Sequence, residues 1–213
     1  MVKVGSLIKL EYSASVDGKV IEKPKGALVV AVGKNHVLPG LDEALQKTEV
    51  GKESEVVIPP AKAYGERNAD LVRLVPLELF KKQGVEPVQG MIFELDNMPC
   101  RVQSVSGGRV RVDFNHEFAG KTISYKFKII EDLTTVSAKV SAIGQQFFGE
   151  KAKVVYDETA KVATFTVDSD ACLKQGYIAE KGRAIAMVFT FIDEVKSVKF
   201  NEEFQKAKMQ QTD

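Results

Sequence analysis

The 213-residue chain has no tryptophan, two histidines, two cysteines and almost no excess charge. Each scarcity excludes something. Thirty Lys and Arg against 29 Asp and Glu leave a net charge of +1, so no global field concentrates nucleic acid or holds an anionic membrane surface, and neither is expected as a partner. Cys100 and Cys172 stand far apart and form no CxxC pair. With His36 and His116 they make a poor set of soft ligands, and no metal site is expected. No run of 18 apolar residues occurs, and lysines at positions 3 and 9 interrupt the N-terminal apolar residues, so neither a membrane span nor a signal-peptide core is read. Thiols without an export signal point to a reducing, cytoplasmic compartment. Nucleophile elbow, P-loop, dinucleotide fingerprint and HExxH are all missing, so no cofactor is expected. So few acid–base candidates suit a reaction without proton transfer.

What is present is ordinary globular composition, 44% hydrophobic and 28% charged, at a length for one to two domains or one domain with insertions. Residues 6–14 alternate β-branched and aromatic side chains, Asp17-Gly18 supplies a turn and Val20-Ile21 resumes the pattern, which predicts a hairpin. Residues 27–33 read as a short strand. Pro39 opens a helix at about 40–47, with Leu41, Ala44 and Leu45 on one face. SEVVIPP (54–60) is a strand. Residues 61–84 begin as loop and contain a short helix at Leu77–Lys82. Strands follow at 91–95, in a pair joined at Gly107-Gly108, and at 123–133. From about 134 the pattern restarts: two strands around Asp157-Glu158, a helix-like stretch over 169–192 with an N-cap region near Asp170 and weakened by Gly176 and Gly182, a strand over 195–204, and a polar tail, KAKMQQTD, expected to fray. No internal repeat and no low-complexity segment occur.

Four stretches, in order and spacing, resemble the FKBP family: EYSASVDGKVIE (11–22), VLPGLDEALQKTEVGKE (37–53), KAYGE (62–66) and FNHEFAGKTISYKFKI (114–129). Ala-Tyr-Gly alone is a weak signal; the fourth stretch, fairly specific, resembles the closing strand of the SlyD group. About 50 residues separate the third and fourth stretches, more than the family needs, and residues 71–118 resemble an insert-in-flap domain. Residues 134–213 are similar, more loosely, to the C-terminal extension of long archaeal FKBPs. The resemblance implies an α+β fold: an FKBP-like antiparallel sheet wrapped on a short helix (1–70, closed by the strand in 119–133), a β-rich insert (71–118) and a C-terminal α/β domain (134–213).

The resemblance also implies peptidyl-prolyl cis-trans isomerisation, with chaperone activity through the flap insert. Pocket walls fall on Tyr12, Ile21, Leu28, Val37, Leu38, Leu41, Tyr64 and Tyr125, with the Leu38 N–H and the Tyr64 hydroxyl holding substrate carbonyls and Glu22 ordering the pocket's polar groups. Three positions depart from the family: Glu22 replaces Asp, Leu41 occupies a floor position that is often Trp, and Tyr125 replaces Phe. Weaker binding of macrolide inhibitors follows. Val72, Leu74, Phe80, Met91 and Phe93 are the insert's candidate client-facing residues, for unfolded or proline-containing polypeptides. Read singly, Tyr12, Tyr64, Val37, Leu38 and Leu41 would be core and Glu22 a solvated charge; the ordered motif set gives them a site role. His36 and His116 read as turn residues, and the cysteines as inert thiols. The competing reading is mainly a holdase with weak isomerase activity. The apolar stretch 184–192 reads as core, with a homodimer interface through the C-terminal domain as the sharper alternative.

Overall fold

A computed structural model describes residues 1–204; the tail from 206 on, expected to fray, lies outside the described residues. The chain forms two compact units, one of Met1–Val57 with the chain from Ser124 on, the other of Ile58–Ile123.

The first unit is built on β1 (Leu7–Val16), β2 (Lys19–Glu22), β3 (Leu28–Ala31), β4 (Glu53–Ile58) and β9 (Ile123–Leu133), in the order β2-β1-β9-β4 with β3 also paired to β1. The β1–β2 turn places Asp17 at φ 51° and Gly18 at φ 77°, the left-handed pair that matches the twist of a tight hairpin. Between β1 and β2 the register slips, so that Ala14 faces Glu22 while Ser15 faces Val20 and Ile21 is the extra, bulged residue. Helix α1 (Pro39–Leu45) starts with Pro at its first position and buries Leu41 and Leu45. The Asp42 carboxylate accepts the Gly33 N–H at 2.7 Å, which ties α1 to the end of β3.

Both faces of this sheet are used. Pairing puts Ile8, Leu10, Val30 and Leu28 on one face and Leu7, Val29 and Ala31 on the other. The second set, with Leu133, shares a buried cluster with Val140, Ile143, Phe148, Phe165 and Val188 from the chain beyond residue 134. This explains the run LVVAV: a strand wet on one face alternates, whereas one covered on both faces stays apolar throughout. The C-terminal residues are therefore not a separate body but the cover of the sheet's second face. They comprise α3 (Val136–Phe148), β10 (Lys153–Asp157), β11 (Val162–Asp168), α4 (Ser169–Cys172), α5 (Tyr177–Phe191) and β12 (Ser197–Glu203). β10 and β11 are antiparallel, β11 and β12 parallel.

Three expectations change here. The helix-like stretch is two helices, broken before Gly176, whose φ of 87° no other residue adopts cheaply. The N-cap is Asp168, accepting the Ala171 N–H at 2.9 Å, rather than the Asp170 region. Helix α3 was not anticipated, although Thr135 caps it and Val136, Val140, Ile143 and Phe147 recur at helical spacing. Ala184, Met187, Val188 and Ile192 lie in the core, so these side chains are not free to form a dimer interface.

In the second unit, β5 (Val72–Pro76), β6 (Ile92–Leu95), β7 (Met98–Ser106) and β8 (Arg109–Asp113) form a sheet in the order β5-β8-β7-β6, with α2 at Leu77–Lys82. Phe80 of α2 is fully buried with Val102, Val110 and Val112, and Met91 and Phe93 pack against them. Phe80 is thus the centre of the insert's own core, because a domain this small has few other large side chains to bury; it does not face a partner. Val72 is half-buried, and only Leu74, 63% exposed, stands out in solvent among the five candidate client residues.

Candidate active site

The first unit holds most of the expected pocket residues, and the strand registers put Tyr12, Leu28 and Tyr125 on the face that carries Leu10. In the β1–β9 ladder Tyr12 faces Phe127 and Ala14 faces Tyr125, so Tyr12 and Tyr125 are diagonal neighbours on one face. Their ring centroids are 5.6 Å apart at 48°, a tilted packing that favours edge-to-face contact. Glu22 extends the row: it pairs with Ala14 across β2, and its Oε1 accepts the Tyr12 hydroxyl at 2.6 Å. The longer carboxylate does engage a pocket hydroxyl, and the bulge at Ile21 is what turns this strand end toward it. Leu41 is 1% and Tyr125 4% exposed, whereas Tyr12, Ile21, Leu28, Val37 and Leu38 are half-buried.

Leu38 precedes α1 with φ −53° and ψ 139°, and its carbonyl accepts the Leu41 and Asp42 N–H groups at 2.9 and 3.0 Å. Its own N–H donates to no group among the described residues, as suits a donor held for a visiting carbonyl. His36 has a structural task instead. Its Nδ1 accepts the Ala31 N–H at 3.1 Å, and its ring lies 5.0 Å from that of Phe191. Desolvation pushes its pKa down against the opposing pull of Asp42, which keeps the ring neutral, the form that can accept. A depression of about 490 Å³ in this unit also touches Tyr12, but Glu11, Lys23, Glu53 and Lys126 line it with both signs of charge, so it offers no dry wall.

Tyr64 belongs to the second unit. It follows a short 3-10 turn, Pro60–Lys62, and precedes Gly65, whose φ of 81° closes a hydrogen bond from its N–H to the Pro60 carbonyl at 2.8 Å. The Gly of Ala-Tyr-Gly is there for that backbone conformation. The Tyr64 ring stacks on His116 at 4.1 Å and 6°, and Phe118 tilts against both. Reading His116 as a turn residue missed this stack, although both aromatics sit inside the FNHEFAGK stretch.

Next to the stack, Asp113 is buried and accepts hydrogen bonds from Arg67, from Gln103 at 3.0 Å and from the backbone and side chain of Asn115 at 3.0 and 2.7 Å. Asn115 in turn exchanges two hydrogen bonds with the backbone of Asn68. Burial alone raises the Asp113 pKa, but the Asn115 hydrogen bonds and the Arg67 guanidinium outweigh it and hold the carboxyl below its usual range. This network clasps the two chain segments at the base of the insert. Burial raises both thiols, Cys100 and Cys172, which suppresses thiolate chemistry. Among the described residues no cluster of His, Cys, Asp and Glu could hold a metal ion, and no helix is long and apolar enough to cross a membrane.

Comparison with known proteins agrees with this geometry. A family model described as FKBP-type peptidyl-prolyl cis-trans isomerase matches residues 1–94, and one described as FKBP26, IF domain, matches residues 73–118. The short-type peptidyl-prolyl cis-trans isomerase of Methanocaldococcus jannaschii is 33% identical over 145 residues, 61% of this chain and 92% of that protein. The SlyD proteins of Helicobacter pylori and Aeromonas hydrophila are 30% and 34% identical, over 61% and 65% of this chain and 72% and 68% of their own lengths. The aromatic row on β1 and β9, the insert within the flap and relatives matched over so much of their length lead to one conclusion: this chain belongs to the FKBP-type peptidyl-prolyl cis-trans isomerases.

Proposed function

We propose that the chain turns X–Pro bonds of unfolded or partly folded polypeptides on the Tyr12–Tyr125 face, and that the insert holds such chains as a chaperone site. The observation that supports the first part is the Tyr12–Tyr125 aromatic pair on one face of the sheet, with the Tyr12 hydroxyl held by Glu22. The planar amide is charge-separated by resonance, and losing that resonance gives a rotation barrier of roughly 18–20 kcal/mol. The twisted transition state is less polar at its carbonyl. Dry walls therefore destabilise the planar form more than the rotated one, and each 1.36 kcal/mol of that difference is worth about tenfold in rate. No proton moves, so no general base is needed.

In this reading Tyr12, Ile21, Leu28, Val37, Leu38, Leu41 and Tyr125 supply walls and floor, Glu22 orients the Tyr12 hydroxyl, and the Leu38 N–H takes a substrate carbonyl. Tyr64 is assigned the second carbonyl on the family resemblance, supported by the stack that fixes its ring. Leu38→Asp and Tyr64→Ala should each slow exchange in a proline peptide about tenfold or more; unchanged rates in both would end the assignment. The free thiols Cys100 and Cys172 support a cytoplasmic setting, and Leu41 at a floor position that is often Trp in the family supports weak macrolide binding.

The chaperone part rests on Leu74 and Ile92, exposed on a small sheet, since apolar side chains left in solvent beside strand edges capture extended chains. Excising residues 71–118 should abolish suppression of aggregation while short-peptide isomerisation persists. If suppression survives, the insert is not the client site.

A further inference from the structure

The insert's sheet is covered on one face by α2 and open on the other. The register defines the open face: Arg111 on β8 stands between Ser104 and Leu74, Arg109 between Ser106 and Pro76, and Arg101 faces Asp113, with Ile92 beyond it. Leu74 is 63% and Ile92 65% exposed. The acids on this face are Asp113, already engaged by Arg67, and Glu94 on the edge strand β6. Arg101 lies 3.6 Å from Glu117. Arg109 and Arg111 have no ion-pair partner among the described residues. Two arginines at i and i+2 of one strand start from Cα atoms about 7 Å apart on the same face, so their like charges repel, a cost for which the fold itself shows no return.

We propose that this face docks extended polypeptide segments bearing acidic side chains at alternate positions among apolar ones. An extended chain repeats the side chains of one face at the same interval of about 7 Å, so two carboxylates at i and i+2 can meet Arg109 and Arg111 together while an apolar side chain further along that same face rests on Leu74 or on Ile92, on the two edge strands. Guanidinium–carboxylate pairs add geometric specificity as well as attraction. A single nucleic-acid strand has a similar charge interval, but its binding sites carry aromatic platforms for bases. The strands of the open face present Val72, Leu74, Pro76, Ile92, serines and arginines but no aromatic ring, and the nearest such rings, Phe114 and His116, line a depression beside Ile92 and Arg101 that also holds Asp113 and Glu117, whose carboxylates repel phosphates. The inference rests on the insert being the client site and adds which clients it selects.

The test uses the full chain and two short, labelled, proline-free peptides with the same apolar residues, one carrying Glu and the other Lys at alternate positions, with binding read by fluorescence anisotropy. At low salt the acidic peptide should bind about tenfold tighter, and the gap should close near 0.5 M salt. The double variant Arg109→Glu, Arg111→Glu should invert the order while leaving turnover of a short proline peptide unchanged. If that variant does not fold by circular dichroism, Arg109→Gln with Arg111→Gln should erase the preference. Equal binding of both peptides overturns the charge selection but leaves the insert as client site. Binding of neither overturns both. Oligothymidylate binding more tightly than the acidic peptide overturns the proposal in favour of nucleic acid.

Discussion

Ending the chain after Thr134 should unfold the isomerase sheet or leave it barely stable. Leu7, Val29, Ala31 and Leu133, between 0 and 3% exposed, are buried by side chains that follow residue 134, among them Val140, Ile143, Phe148 and Val188. Fully burying a Leu or Val contributes about 1.5–3 kcal/mol. Three such residues and an alanine give on the order of 5–8 kcal/mol, an upper figure because the denatured chain already buries part of that surface. The truncation also removes Gln146, whose Oε1 accepts the Val29 N–H, and Phe191, which packs on His36. A domain is stable by only about 5–15 kcal/mol, so the loss is comparable to the whole. Urea unfolding followed by far-UV circular dichroism reads the effect, since the chain has no tryptophan to report. The truncated chain should aggregate or unfold at much lower urea, and Leu7→Thr with Val29→Thr should restore its solubility without restoring its midpoint. A truncated chain with the midpoint of the full chain would refute the reasoning, showing that the cover contributes nothing to the sheet.

Other outcomes follow from the same geometry. Gly144→Ala should destabilise by about 1–2 kcal/mol despite the better helix former, because its Cβ would press into Val154 Cγ2 and touch the Phe165 ring; a gain in urea midpoint would contradict the close approach of α3 to β10 and β11. Asp113→Asn should cost the second unit about 1–3 kcal/mol. With its folded pKa depressed, Asp113 contributes stability above the ordinary carboxylate pKa of about 3.9 and loses it as pH falls through the lower folded value. The Asn variant should therefore show a flatter stability profile between about pH 5 and 2, and parallel profiles would count against the clasp. Glu22→Ala removes the carboxylate that accepts the Tyr12 hydroxyl and should lower kcat/KM on a proline peptide about threefold to tenfold, a loss near 1 kcal/mol, measured by exchange NMR. An unchanged kcat/KM would mean that Glu22 orders nothing.

Much of this was legible residue by residue because it rests on local rules. Asp17-Gly18 needs positive φ, Pro39 suits a first helical position, and residues 77–82 have the composition of a short helix; all three lie where local preference and tertiary structure agree. The candidate pocket residues came from ordered motifs, and the face that Tyr12 and Tyr125 share followed only once β1 and β9 were in register. Helix α3 escaped although Thr135 and Gly149 bound it, because Val136, Val140 and Gly144 lower its helix propensity. Phe80 was misjudged because an apolar residue looks the same in sequence whether it faces a core or a partner. The Tyr64–His116–Phe118 stack and the Asp113 clasp join positions about 50 residues apart, and no local pattern encodes such a distance.

From its sequence alone, the chain's membership of a proline-isomerising family and the presence of an insert were determined, since these depend on residue types and their order. Which side of each strand is wet was decided only in three dimensions. A period-two strand has two faces, and it is the later chain packing on one of them that makes Leu7, Val29 and Ala31 core, while the partnerless face of the insert leaves Arg109 and Arg111 to solvent.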